Sequence, residues 1–280
     1  ADARRSGIGG RTVRAGAAPG GECDMSMRRL TFLGTGTSTG VPVNGCDCEV
    51  CKSTDPHDKR YRAAALLETN HTRILIDCGP DIRMQLMPLP FRRIDGLLLT
   101  HGHYDHVGGL DDLRPFCKFG DIDIYGNDIA VKTVMHNFPY CFVQHLYPGV
   151  PKFNLHTIRC HQRLVIGDVE VEPFGVMHDK LPILGYRFGD FAYITDMKTI
   201  EDEEFERLRG VKTLVVNALR WEKWHHSHMT VEEAMAFAQR VGAERTYFTH
   251  MGHGIGLHDE ANARLPKNMW FAYDGEIIEV

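Results

Sequence analysis

His101-Gly102-His103-Tyr104-Asp105-His106 places three imidazoles and a carboxylate in one short segment, a density that core packing does not need and an ordinary solvated loop does not produce. The chemistry such a set supplies is metal binding. His101 and His103, two apart on an extended segment, can face one ion, while Asp105 and His106 lie past the turn and can point to a neighbouring position. Neutral imidazole suits Zn, Mn, Fe and Ni, and carboxylate adds affinity for harder ions, so the residue types leave the metal open. A second group, Gly45-Cys46-Asp47-Cys48-Glu49-Val50-Cys51, gives a C-x-C-x-x-C triad. Three thiolates want a fourth ligand to close a structural zinc site, and His253, in Thr249-His250-Met251-Gly252-His253, is the candidate. A redox pair, or a fourth ligand elsewhere, stays open.

These groups need elements to aim them. The apolar run 96–99 has strand length, and Val107-Gly108-Gly109-Leu110 follows, so the histidine cluster sits where a strand turns into a helix. Strands are expected over 29–33, 63–68 and 73–77, a helix over 111–116, a strand over 122–125 and a helical stretch from Asp128. Further along, 164–174 and 186–195 read as hairpins, 201–208 as a helix and 213–217 as a buried strand. Val231, Ala234, Met235, Ala238 and Val241 lie at helical spacing after the capping residue Thr230. A strand over 246–249 then delivers His250. Asp274-Gly275, between 269–273 and 276–280, predicts a closing hairpin. Two halves that each carry strands followed by helices suit two sheets packed face to face with helices outside.

Composition bounds the function. At 280 residues, 43% hydrophobic and 25% charged, the chain reads as a globular protein with one domain over 27–280. Residues 1–26, rich in Gly, Ala and Arg and without an apolar signal core, read as a disordered leader or expression-derived arm. An amphipathic transit segment built on Arg4, Arg5, Arg11 and Arg14 is the alternative there. A net charge of -5 supplies no basic field for a nucleic-acid backbone, and no apolar run approaches the roughly 18 to 20 residues that span a bilayer. Cys23, Cys78, Cys117, Cys141 and Cys160 are scattered, which argues against a disulfide framework and for a reducing, cytoplasmic location.

The HxHxDH segment, the loop Leu33-Gly34-Thr35-Gly36-Thr37-Ser38-Thr39-Gly40-Val41-Pro42, the cysteine triad and the TH-x-x-H ending together resemble the metallo-β-lactamase superfamily, and within it the PhnP-like branch. That branch is typified by the phosphodiesterase of the carbon–phosphorus lyase pathway, which opens a phosphoribosyl cyclic phosphate. The resemblance covers 27–280 and implies an α/β fold, the αββα sandwich of two packed mixed sheets with outer helices and metals at one edge. Carried over residue by residue, it implies that His101, His103 and His178 hold one divalent ion and Asp105, His106 and His250 the other, with Asp196 bridging them. The ions are expected to be Mn or Zn, with Fe or Ni also open. One structural Zn is expected on Cys46, Cys48, Cys51 and His253. Asp77 matches a position that orients the histidines from behind. A metal-bridging hydroxide then attacks, so no serine or cysteine nucleophile is required.

A leaving alkoxide needs a proton, and histidine titrates near neutrality. Trp224-His225-His226-Ser227-His228-Met229 supplies three candidates. In the related family the proposed acid lies 22 positions before the last active-site ligand, which here is His228, with His226 second. Asp105 and His228 are thus the catalytic side chains. Trp221, Trp224 and Tyr186 are candidate pocket walls, and Arg220 and Lys180 candidate phosphate contacts. The function expected is a binuclear-metal phosphodiesterase for cyclic or small nucleotide-like phosphodiesters, with a small-molecule substrate, no membrane partner, nucleic acid disfavoured and a homodimer left open. One rival is a ribonuclease Z-like tRNA 3′-processing nuclease, which usually carries a basic protruding arm that 107–177 does not obviously encode. The other is a non-catalytic metal- or ligand-binding accessory protein on the same fold.

Overall fold

Alternation along the strands decides the layering. In β1 (Arg29–Gly34), Leu30 and Phe32 enter one core while Leu33 enters another, as period-two side chains on opposite faces of a sheet must. The computed structural model describes residues 28–143 and 149–280, and the leader read over 1–26 lies outside them. One sheet adds β2 (Ala64–Glu68), β3 (Arg73–Ile76), β4 (Gly96–Leu98), β5 (Ile122–Gly126) and β6 (Phe153–Thr157). The other holds β7 (Leu164–Ile166), β8 (Val169–His178), β9 (Leu181–Phe188), β10 (Phe191–Tyr193), β11 (Thr213–Asn217), β12 (Arg245–Thr249) and β13 (Met269–Phe271). The last strand, β14 (Ile277–Glu279), returns to β1.

The orders are β14-β1-β2-β3-β4-β5-β6 and β13-β12-β11-β10-β9-β8-β7. Both sheets are mixed in the same way: β3 to β6 run parallel, and so do β10 to β13, while the remaining neighbours are antiparallel. Between the sheets lies a core that includes Phe32, Ile76 and Leu98 from one and Tyr186, Phe191, Tyr193 and Val215 from the other. Each outer face has its own core. Ala234 and Ala238 of the helix Val231–Val241 cover the second sheet, and Ala130 and Val134 of the helix Asp128–Asn137 cover the first. The αββα sandwich expected from the sequence is the observed fold. No helix among the described residues is long and apolar enough to cross a membrane.

Three local expectations change. Residues 269–280 do not form a hairpin, because β13 pairs with β12 while β14 pairs with β1, so Asp274-Gly275 carries the chain from one sheet to the other. Buried edges waiting on both sheets outweigh a local turn signal. Residues 111–116 lie in a 3₁₀ helix, Leu110–Phe119, rather than an α-helix; Pro115 has no N–H to give to the ladder. Finally, β8 and β9 form a long hairpin that the sequence reading did not pair, with His178 opposite Leu181.

The crossing segment is tied down by one carboxylate. Asp274 accepts from the Thr35 amide at 2.8 Å, the Thr35 hydroxyl at 2.7 Å and the Tyr61 amide at 2.5 Å. Buried Arg60 in turn donates to the Thr35 hydroxyl and to the Ala272 carbonyl. Asp274→Ala should therefore lower stability by about 3 kcal/mol, three partners at about 1 kcal/mol each. The reading is a lower urea midpoint at unchanged slope; an unchanged midpoint contradicts this account of the crossing.

Candidate active site

The first candidates come together because the strands that precede them end at one edge. Asp77 follows β3, His101 follows β4, His178 ends β8, Asp196 follows β10 and His250 follows β12. Ligand sites in sheets with parallel strands commonly lie outside such carboxyl ends. Asp77, Asp179, Asp196 and His250 all have left-handed backbone, with φ of 61, 53, 56 and 58. For residues other than glycine each such conformation costs roughly 1–2 kcal/mol and persists only where the surroundings enforce it. An aspartate after a strand signals a turn but not its handedness. The HxHxDH turn is sewn to the end of β3: the Cys78 amide donates to the His106 carbonyl at 2.7 Å and the Gly109 amide to the Cys78 carbonyl at 2.9 Å. A Cβ on Gly79 would lie 2.1 Å from the Asp105 carbonyl oxygen, so only glycine allows that approach.

Two donor sets result. His101, His103 and His178 form one, Asp105, His106, Asp196 and His250 the other, and within each set the ligand atoms lie within 4.8 Å of one another. The far nitrogens fix the tautomers. His106 Nδ1–H donates to Asp77 at 2.7 Å. The Thr100 hydroxyl donates to Asp77 at 2.8 Å and accepts from His101 Nδ1 at 3.0 Å. His178 Nδ1–H donates to the Ser227 carbonyl at 2.9 Å. For His101 and His178 this leaves Nε2 facing inward with a free lone pair, and His106 Nε2 faces inward beside them. Among the described residues, the Nε2 atoms of His101, His106 and His250 are buried without a hydrogen-bond partner. His106 Nε2 nonetheless lies 3.2 Å from both Asp105 and Asp196, and His250 Nε2 3.1 Å from Asp196. Donor atoms this close, converging without bonding one another, fit divalent cations at their common focus.

Electrostatics agree. Burial pushes His101 well below the usual imidazole range, with His106 adding to it, and lowers His103 with help from His178, so both lone pairs are available. Burial alone would raise Asp105 and Asp196, yet His106 and His250 hold both below the usual carboxylate range. Burial would likewise lower His106, but Asp105, Asp196 and Asp77 outweigh it and hold it well above. Three buried carboxylates around two imidazoles call for positive charge among them.

His228 stands at the rim of this cluster, buried, with Nδ1 3.8 Å from Asp196 and its ring stacked on His178 at a centroid distance of 4.7 Å. Burial, reinforced by His250, pushes it down to about 3. His226 is exposed and stacks on His225, not on His228. The thiol triad also comes together: Cys46, Cys48 and Cys51 Sγ lie 3.3, 3.5 and 3.3 Å from His253 Nδ1. The glycine loop runs beside this segment, with the Thr37 amide donating to the Met251 carbonyl at 2.9 Å.

Two of the proposed pocket walls lie away from the site. Trp221 is 8% exposed and its indole N–H donates to the Ile255 carbonyl, while Tyr186 is fully buried against the Leu99 carbonyl; both are core, and of the three proposed walls only Trp224 is exposed. Lys180 is exposed and Arg220 holds the Lys223 carbonyl. Asn217, given no role in the sequence reading, clamps the turn carrying Asp196 through the Met197 amide and carbonyl, at 2.8 and 2.9 Å. An amide at the end of the apolar run 214–216 was the available signal.

Comparison with known proteins places these features in a family. The model of the beta-lactamase superfamily domain matches residues 72–251. The Porphyromonas gingivalis octanoyltransferase is 42% identical over 248 residues, 88% of this chain but 50% of that protein, so the chain spans half its length. The anti-Pycsar protein Apyc1 of Bacillus phage 010DV004 is 44% identical over 223 residues, 70% of this chain and 85% of that protein. The crystal structure of a diphosphatase from the PhnP family superposes with a TM-score of 0.84 at 37% identity, covering 91% of this chain and 97% of that one.

Asp77 is the support whose removal should be felt most. Asp77→Ala leaves the His106 N–H and Thr100 unpartnered in a fully buried pocket and should cost about 3–5 kcal/mol, whereas Asp77→Asn keeps an acceptor for the Thr100 amide and should cost less. Chemical denaturation of the three proteins checks the ranking, and equal stabilities contradict it.

Proposed function

The chain belongs to the metallo-β-lactamase superfamily, and to its PhnP family, and on that premise we propose that it is a two-metal phosphodiesterase acting on cyclic or small nucleotide-like phosphodiesters. The observation that carries the reading is the pair of adjacent donor sets with buried, unpartnered imidazole nitrogens turned inward. His101, His103 and His178 would hold one divalent cation, Asp105, His106 and His250 the second, and Asp196 would lie between them, as the sequence reading expected. Bound there, Mn or Zn ions would supply Lewis acidity toward a phosphoryl oxygen and lower the pKa of water.

The protein's own groups do the rest. Asp77 and Thr100 hold the imidazoles in one tautomer, and Asn217 holds the turn that presents Asp196. His228 is the proposed proton donor to the leaving oxygen. Burial and His250 hold it down to about 3 in the free protein, and the negative charge of a bound phosphodiester shifts it back toward the protonated form. Cys46, Cys48, Cys51 and His253 would close a zinc site that ties the N-terminal loop to the segment bearing His250. Free thiols among the described residues support a reducing compartment.

Hydrolysis at phosphorus is favoured over other esters by the likeness to a diphosphatase of the PhnP family. The octanoyl-transfer name belongs to a protein twice as long and is not carried over. A ribonuclease Z-like nuclease also fits this fold; the described residues between His106 and His178 fold into helices and strands β5 to β8 of the sandwich.

Metal-defined protein should hydrolyse bis(p-nitrophenyl) phosphate and lose that activity to a chelator, with readdition of Mn or Zn restoring it. Turnover absent from a protein whose centre is filled would sink the reading. His228→Ala should lower kcat by about 10²- to 10⁴-fold at unchanged metal content. Elemental analysis should count about three ions per chain, and one zinc fewer in Cys48→Ala; an equal count would remove the zinc staple.

A further inference from the structure

Trp224 is an indole set out in solvent at the rim of the active site by restraints on both sides. It is 69% exposed. On one face lies Lys198, its Nζ 5.1 Å from the ring centroid. Lys198 is itself anchored: its amide donates at 2.7 Å to the carbonyl of Met177, next to His178, and its Nζ donates to both Glu233 oxygens at 2.8 Å. It also follows Asp196 by two residues. On the other side in the chain, the ring of His225 stacks on His228 at 5.0 Å and 10°, which stacks on His178. The indole is thus fastened between the segments carrying Asp196, His178 and His228.

The turn that exposes it is strained. Lys223 has φ 70, a left-handed conformation unfavourable for a long side chain, and Arg220 Nε holds its carbonyl at 3.0 Å. A Lys–Glu pair needs no aromatic cover, and an indole left in water forgoes burial. Both features make sense if a flat partner arrives.

We propose that Trp224 is the stacking platform for the base of a nucleoside phosphodiester, so that the enzyme distinguishes nucleotides from sugar phosphodiesters without a base; this deepens the phosphodiesterase reading and rests on it. Lys198, neutralised by Glu233, polarises one face of the indole and leaves the other for the base. Stacking tolerates any base, because every base presents a π-face. A mononucleoside is the fitting size: one platform serves one base, and a net charge of -5 gives a longer polyanion nothing to follow.

The test compares metal-loaded wild type, Trp224→Ala and Trp224→Phe on adenosine 2′,3′-cyclic phosphate and on methyl ribofuranoside 2,3-cyclic phosphate. Trp224→Ala should reduce the preference for the nucleoside, as a ratio of kcat/KM values, by about tenfold and through KM, while Trp224→Phe retains most of it. An unchanged preference overturns the proposal, and so does an equal loss on both substrates. If wild type hydrolyses neither of these esters nor bis(p-nitrophenyl) phosphate, the phosphodiesterase reading falls by itself. Equilibrium dialysis with adenosine 5′-monophosphate then judges the platform: about tenfold weaker binding to Trp224→Ala supports it, and equal binding overturns it.

Discussion

One fully buried carboxylate organises the active site. Asp77 takes the Thr100 amide and hydroxyl and the His106 N–H, and through Thr100 it reaches His101. Burial raises its pKa, and those donors, with His106 foremost, offset only part of that cost. Because Asp77 sits where β3 ends and His101 follows the neighbouring β4, the parallel pairing of these two strands is what allows a single side chain to set the ring planes of two histidines. A site built on strand ends inherits the stiffness of the sheets, as precise coordination requires.

The second sheet contributes the opposing half. Asp196 and His250 leave β10 and β12 through left-handed turns, and β11 between them supplies Asn217 to hold the first of those turns. Strain at these positions is stable because the sandwich core, with Tyr193 and Val215 fully buried, leaves the strands no room to shift. The mixed pattern common to the two sheets therefore has a functional consequence: each presents parallel strand ends at the same edge, so donor groups arrive from both sides.

The N-terminal loop is bound to this edge by several independent links. Thr37 meets Met251, the cysteine triad surrounds His253, and Asp274 secures Thr35 and Tyr61. His250 lies within that web, so its position depends on contacts remote in sequence. A zinc at the triad would act through geometry, by fixing the backbone on which His250 sits, and not by touching substrate.

Much of this was legible in residues alone. Dense, closely spaced ligands such as HxHxDH and C-x-C-x-x-C announce their chemistry locally, because few other pressures put so many donors in so short a segment, and the alternation of apolar runs announced the strands. His178, Asp196 and His250 were legible only through family resemblance, since a lone histidine or aspartate after a strand has several ordinary explanations. The tertiary structure decided which nitrogen of His101, His106 and His178 faces inward, that Tyr186 and Trp221 are core while Trp224 is not, and that 269–280 joins two sheets instead of folding on itself. Those outcomes depend on partners far away along the chain: Ser227 for His178, Leu99 for Tyr186, β1 for β14. Local sequence specifies which groups are available, whereas long-range pairing and burial determine what each of them faces.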